Sequence, residues 1–161
     1  MPLSVPRDGP SEPILAWRAW TCTPAGMLRS LTYPLAWAGQ STTATDPLAM
    51  RAVCMRGHTN HRAPHRACGC GWYGLKTAAQ VLPWIHVRQR MSALPRVRRI
   101  VIGRVALWGL VVEHAEGYRA EFAYPACLYV PSRALVRPLS ERYRVEVYPL
   151  YLLRPALTAA G

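Results

Sequence analysis

The chain has 161 residues, 51% hydrophobic and 17% charged, which excludes global disorder and suffices for one compact domain whose core does not depend on disulfides. Twenty basic residues against eight acidic ones give a formal charge of +12, which points to nucleic acid or another anionic surface as partner. No stretch approaches the length of an uncharged membrane span, so no membrane partner is expected.

The basic excess is almost entirely arginine, with Lys76 the only lysine, Phe122 the only phenylalanine and Asn60 the only asparagine. That skew also fits a genome rich in G and C, so part of the charge reflects codon usage. Residues 1–13 carry four prolines and read as a flexible arm, without the apolar run of a signal peptide. Five cysteines, two of them in a C-x-C pair, suit a metal better than a disulfide ladder, and a cytoplasmic, reducing compartment is expected.

In chain order, Ile14 to Trp20 alternates as a first strand, Cys22 to Gly26 turns, and Met27 to Tyr33 reads as a second strand. Pro34 to Pro47 reads as a surface loop, and Leu48 to Met55 as a strand or short helix leading to Cys54. Gly74 to Gln80 contains helix formers, with Pro83 limiting how far a helix continues, and Val87 to Arg99 is a basic connector. The clearest signal follows: Ile100 to His114 is β-branched and apolar, Ala115 to Gly117 turns, and Tyr118 to Tyr124 returns with period two. That alternation places Tyr118, Ala120, Phe122 and Tyr124 inward, and Arg119, Glu121 and Ala123 outward. Gly103 and Gly109 mark a bulge or a close backbone approach. Pro125 ends the strand, Cys127 to Val130 makes another, Ser132 caps a helix across Arg133 to Tyr143 that Pro138 shortens or breaks, and Arg144 to Tyr151 closes the sheet. The tail from 154 to 161 is expected to fray.

The stretch Cys54–Tyr73 holds Cys54, Cys68 and Cys70 together with His58, His61 and His65. Thiolates and imidazoles among Gly, Pro and Asn are what a structural Zn2+ site needs. Cys68 and Cys70 reach one ion if the chain turns sharply at Gly69 and Gly71, Cys54 is the third ligand, and His61 or His65 the fourth, with His58 the weaker candidate. Four protein ligands make a closed site whose work is to staple the loop. The alternative is that the cysteines are small buried hydrophobes and the histidines solvated. A catalytic site would need an open position and a carboxylate, yet no acidic residue lies between Asp46 and Glu113.

Glu113, His114 and Glu121 crowd one hairpin, either as an acid/base group or as its solvated face with cross-strand charge pairs. Arg88, Arg90, Arg96, Arg98 and Arg99 are the candidates for phosphate contacts, and Trp72 and Tyr73 for base stacking. Aromatics elsewhere, such as Trp17 and Trp108, read as core; Trp84 reads either way.

At H-R-A-P-H-R-A-C-G-C-G-W-Y-G (His61 to Gly74), and again from Val101 to Pro125, the chain resembles an uncharacterised family of small proteins from high-GC bacteria. The resemblance spans about Trp17 to Val147 and implies no activity. The glycine-punctuated strand pair is also similar in pattern to PUA-like barrels, which implies binding of RNA or modified bases.

The expected fold is α+β: mainly antiparallel sheet or a partly closed β-barrel, one or two short helices, a Cys/His-rich zinc loop at 54–73, and a single domain over 14–153. The expected function is a non-enzymatic zinc-stabilised module that binds nucleic acid or regulates. Two alternatives stand beside it: a protein–protein interaction module of a larger assembly, and a metal-dependent enzyme using Glu113, His114 and Glu121.

Overall fold

A computed structural model describes residues 12–31, 36–37, 50–91 and 99–158. In chain order its elements are β1 (Ile14–Cys22), β2 (Leu28–Ser30), β3 (Ala36–Trp37), β4 (Met50–Arg51), β5 (Trp72–Leu75), α1 (Leu82–Met91), β6 (Ile100–Glu113), β7 (Gly117–Val130), α2 (Val136–Tyr143), β8 (Glu146–Pro149) and α3 (Arg154–Thr158). The fold is α+β, with a mostly antiparallel sheet. Among the described residues no helix is long and apolar enough to cross a membrane.

The hairpin of β6 and β7 is the longest pairing, closed where the His114 N–H donates to the Gly117 carbonyl at 2.9 Å and the Gly117 N–H donates back at 3.3 Å. β1 lines the other edge of β6 in register from Ile14 opposite Leu107 to Thr21 opposite Ile100. β5 pairs with β7 and, through Trp17 opposite Leu75, with β1, so β1, β6, β7 and β5 close a partial ring. β8 adds to β7 in parallel, and β4 joins it at Phe122 and Ala123.

Several elements differ from the sequence pattern. β7 runs through Pro125 without breaking, because the register shifts between Arg104 and Val105, where the missing proline N–H is absorbed by a bulge. Pro83 lies in the first turn of α1, where its absent donor costs nothing, and the helix continues to Met91 through what reads as connector. Trp72 to Leu75 is strand rather than the end of the loop followed by the start of a helical stretch, since it has β7 to pair with. Arg154–Thr158 is a short helix rather than a frayed end. Ser132 does cap its helix, its hydroxyl accepting the Ala134 N–H at 3.3 Å.

The main core gathers Ala16, Trp20, Val101, Val105, Leu107 and Leu128 beneath α2. Trp37, which falls in a stretch that reads as surface loop, is fully buried and meets Trp20 and Trp72 edge-on, with centroids 5.3 and 4.8 Å away. The Tyr143 hydroxyl accepts the Leu28 N–H at 2.8 Å and donates to the Trp37 carbonyl, which ties α2 to the β2–β3 pair. A second apolar layer, with Val81, Ile85, Ile102 and Leu153, lies under α1 and the C-terminal turn.

One irregularity positions the functional region. Between Trp108 and Val111 an extra residue on β6 makes a bulge, with Gly109 at φ 76°. The bulge turns the Leu110 N–H to the Glu121 carboxylate at 3.2 Å. A Cβ on Gly109 would stand 2.7 Å from the Phe122 ring and 2.9 Å from Glu121 Oε2. Gly109→Ala is therefore expected to lower the unfolding free energy by about 1–3 kcal/mol in urea titration, from backbone strain and overpacking together; an unchanged midpoint would show that the bulge tolerates a side chain.

Candidate metal centre

The stretch after β4 folds into two tight turns. The first runs from Cys54 to Gly57, whose N–H donates to the Cys54 carbonyl at 3.2 Å, with Gly57 in the left-handed region at φ 75°. It carries the next residue back: His58 Nδ1 lies 3.6 Å from Cys54 Sγ. The second runs from His65 to Cys68, closed by the Cys68 N–H on the His65 carbonyl at 3.1 Å. The two turns face each other, with Cys54 Sγ 3.7 Å from Cys68 Sγ and Cys68 Sγ 3.6 Å from His58 Nδ1. His61 joins them, so the ligand atoms of Cys54, His58, His61 and Cys68 lie within 4.8 Å of one another. This is a Cys2His2-like group that could hold a metal ion. Cys70 adjoins it, its Sγ 3.5 Å from His61 Nε2.

The loop is held from below by two side chains of β7. Arg119 is 8% exposed and its Nη1 donates to the carbonyls of His65 (3.1 Å), Cys68 and Cys70 (2.9 Å). Glu121 is 3% exposed and accepts from Arg62 Nε at 2.8 Å, with Arg51 Nε at 3.3 Å and the Leu110 amide completing its shell. Period-two alternation assigns both residues to solvent; the loop and β4 cover that face instead. Ala52, Ala63, Cys68 and Cys70 make a small apolar cluster in the cover, packed on Trp72 and Cys54. Buried charged groups persist only with such partners, and here the partners are the loop's own carbonyls and arginines.

The surroundings sort the titratable groups. Burial pushes the Cys54 thiol up, but the Arg56 and His58 amides and the Cys68 and Cys70 sulfurs outweigh it, and the net displacement is downward. Burial raises the Cys70 thiol, and the neighbouring sulfurs add to it against the His65 amide. His61 is held below its ordinary value, first by burial and then by the positive charge available to His65 and His58. His114 is likewise lowered, by burial and then by Arg119, with Glu116 and Glu113 opposing.

Of the residues singled out from sequence, the structure brings together Cys54, His61 and Cys68, and sets Cys70 against His61. His61 rather than His65 takes the histidine place that the spacing left open, and His58, the weaker candidate, stands in the group where Cys70 was expected. His65 stacks on His61 at 4.6 Å, and its Nδ1 accepts the Ala67 N–H at 3.2 Å. The signal for His58 is present in the sequence: Gly57, just before it and three residues after Cys54, closes a turn on that cysteine. Gly71, at φ 114°, takes the unusual backbone after the cysteine pair, and Gly69 does not. Glu113, His114 and Glu121 do not gather: Glu113 lies opposite Tyr118 and pairs with Lys76 at 2.8 Å, while Glu121 serves the loop. Trp72 packs on Trp37 rather than standing free, and Tyr73, 37% exposed, donates its hydroxyl to the Gly69 carbonyl at 2.9 Å. Arg96 and Arg98 lie outside the described residues, as do the side chains of Arg88 and Arg90; Arg99 is half-buried and its carbonyl accepts the Cys22 N–H at 2.9 Å. No sequence signal pointed to Arg119 as the loop's anchor.

No protein family, curated protein or solved structure matches the chain.

Three substitutions test the geometry. In cobalt-loaded protein, His58→Ala should shift or abolish the thiolate–metal absorption while His65→Ala leaves the band in place; the reverse pattern would reassign the fourth corner. Arg119→Met should cost about 3 kcal/mol of stability through the orphaned carbonyls, and weaken metal affinity roughly 10–100-fold, measured by urea unfolding and competitive chelation.

Proposed function

We propose that the chain is a zinc-stapled, nucleic-acid-binding module in which the ion fixes the loop and the loop presents the basic surface. The observation that carries the metal reading is the size of the gap between donors. Zinc bonds of about 2.3 Å to sulfur and about 2.0 Å to nitrogen put tetrahedral edges at roughly 3.8 Å between sulfurs and roughly 3.5 Å between sulfur and nitrogen. The separations of 3.7, 3.6 and 3.6 Å among Cys54, Cys68 and His58 are close to those edges. Two thiols with two imidazoles favour zinc over the hard cations that prefer oxygen. A filled set of four protein ligands supports a structural role, since a catalytic ion keeps an open position.

The nucleic-acid reading is supported by charge placement. The metal loop and its lead-in carry Arg51, Arg56, Arg62 and Arg66, all exposed, in a stretch of sequence without a single carboxylate. Glu121, beneath the loop, engages Arg51 and Arg62 from the buried side. The basic run Arg88 to Arg99 adds further positive charge in the sequence. A protein partner is the second reading, favoured by Val53 and Met55, which are 66% and 49% exposed on the same loop.

Purified protein is expected to contain about one zinc per chain, to lose it in Cys68→Ser, and to melt at a lower temperature after chelation. Binding to single-stranded oligonucleotides should weaken with salt, and Arg56→Ala should lower the log–log slope by about 1. Protein without zinc would sink the metal reading. Binding that is undetectable at low salt would sink the nucleic-acid reading and leave the protein-partner one.

A further inference from the structure

A cavity of about 360 Å3 opens between the second metal-loop turn and the β6–β7 turn, lined by Arg66, Cys68, Gly69, Tyr73, His114 and Arg119. It is a wide-mouthed depression rather than an enclosed pocket. Arg119 is more than nine-tenths buried, yet no described carboxylate lies within ion-pair distance of it. Glu121 is engaged by Arg51 and Arg62, and Glu113 by Lys76. All three hydrogen bonds of Arg119 use Nη1 and go to neutral carbonyls, so Nε and Nη2 have no described protein acceptor. Two thiolates and a divalent ion cancel, so a filled metal site leaves the guanidinium without a counter-charge. The carbonyls satisfy part of its hydrogen-bonding capacity but carry no net charge, so an anion reaching the guanidinium would add the charge partner they lack.

The other walls point to the same class of ligand. Arg66 brings a second guanidinium, and His114 Nε2 is shielded from solvent with no hydrogen-bond partner among the described residues. Tyr73 presents a half-exposed ring that meets His114 edge-on at 6.1 Å. We propose that this cavity seats the phosphate of a nucleotide: the Arg119 and Arg66 forks and the His114 ring take the phosphate oxygens, and Tyr73 offers a face to the base. The planar guanidinium fork matches phosphate in two parallel hydrogen bonds, and a base adds stacking that any nucleotide supplies. A bare anion would leave most of the volume empty. The inference deepens the nucleic-acid reading, on which its setting rests, by naming a terminal phosphate as the group held; free nucleotides share that chemistry.

The test compares single-stranded oligonucleotides of one sequence with a 5′-phosphate or a 5′-hydroxyl, and adenosine monophosphate with adenosine as competitors. It uses the zinc-loaded chain, Arg66→Ala and His114→Ala at one low salt concentration, with zinc content and melting checked for each. The 5′-phosphate is expected to tighten binding about tenfold; each variant should lose that preference while keeping its zinc, and the monophosphate should compete where adenosine does not. Monophosphate binding that depends on Arg66 and His114, with no preference between oligonucleotide ends, supports the seat and assigns it to free nucleotides. Such binding with no oligonucleotide binding at all keeps the seat and sinks the nucleic-acid reading. Equal, salt-sensitive binding of both oligonucleotides with no competition by monophosphate overturns the seat and leaves that reading standing. No binding of any of them overturns both.

Discussion

A single guanidinium decides the shape of the functional region. Arg119 collects the carbonyls of Cys68 and Cys70 and shares that of His65 with the Cys68 N–H, on a short turn with little backbone pairing of its own. Unpaired, those carbonyls would turn to water and take the cysteine side chains with them; paired, they hold the two sulfur-bearing turns in facing positions. The dependence runs both ways. The loop covers Arg119 and Glu121 and makes their burial tolerable, and a bound ion would hold the cover shut. Anchor and cover are one cooperative unit, and neither explains its own stability alone.

The sheet supplies the platform through its defects as much as through its regularity. The bulge at Gly109 aims an amide at Glu121, and the shift near Pro125 lets β7 run long enough to accept β8 in parallel. β5 then bridges β7 and β1 directly after the cysteine pair, so the metal loop enters the ring within two residues of Cys70. The result places the second metal-loop turn, Tyr73 and the β6–β7 turn around a common cavity, although they are far apart in sequence.

Local chemistry was legible wherever it acts over a few residues. The β6–β7 hairpin, the helix cap at Ser132 and the gathering of thiols and imidazoles at Cys54 to Cys70 all follow from spacing and side-chain type. The choice among histidines was harder, because proximity in sequence favours His65, whereas the left-handed turn at Gly57 returns His58 to Cys54. The helix boundaries around Pro83 failed to follow the rule that proline ends a helix, since a proline in the first turn gives up a donor with no partner there in any case.

What the sequence by itself determined is the stretch in which thiols and imidazoles gather, the basic charge and the β-rich class, because these depend on composition and on periods of a few residues. What only the tertiary structure decided is the fate of Arg119, Glu121 and Trp37. Alternation assigns the first two to solvent and Trp37 falls in what reads as surface loop, yet all three are buried. The physical reason is that burial belongs to the partner as much as to the residue. A strand's second face is dry or wet according to what folds over it, and here the cover comes from a loop some fifty residues upstream whose own order depends on the charges it hides.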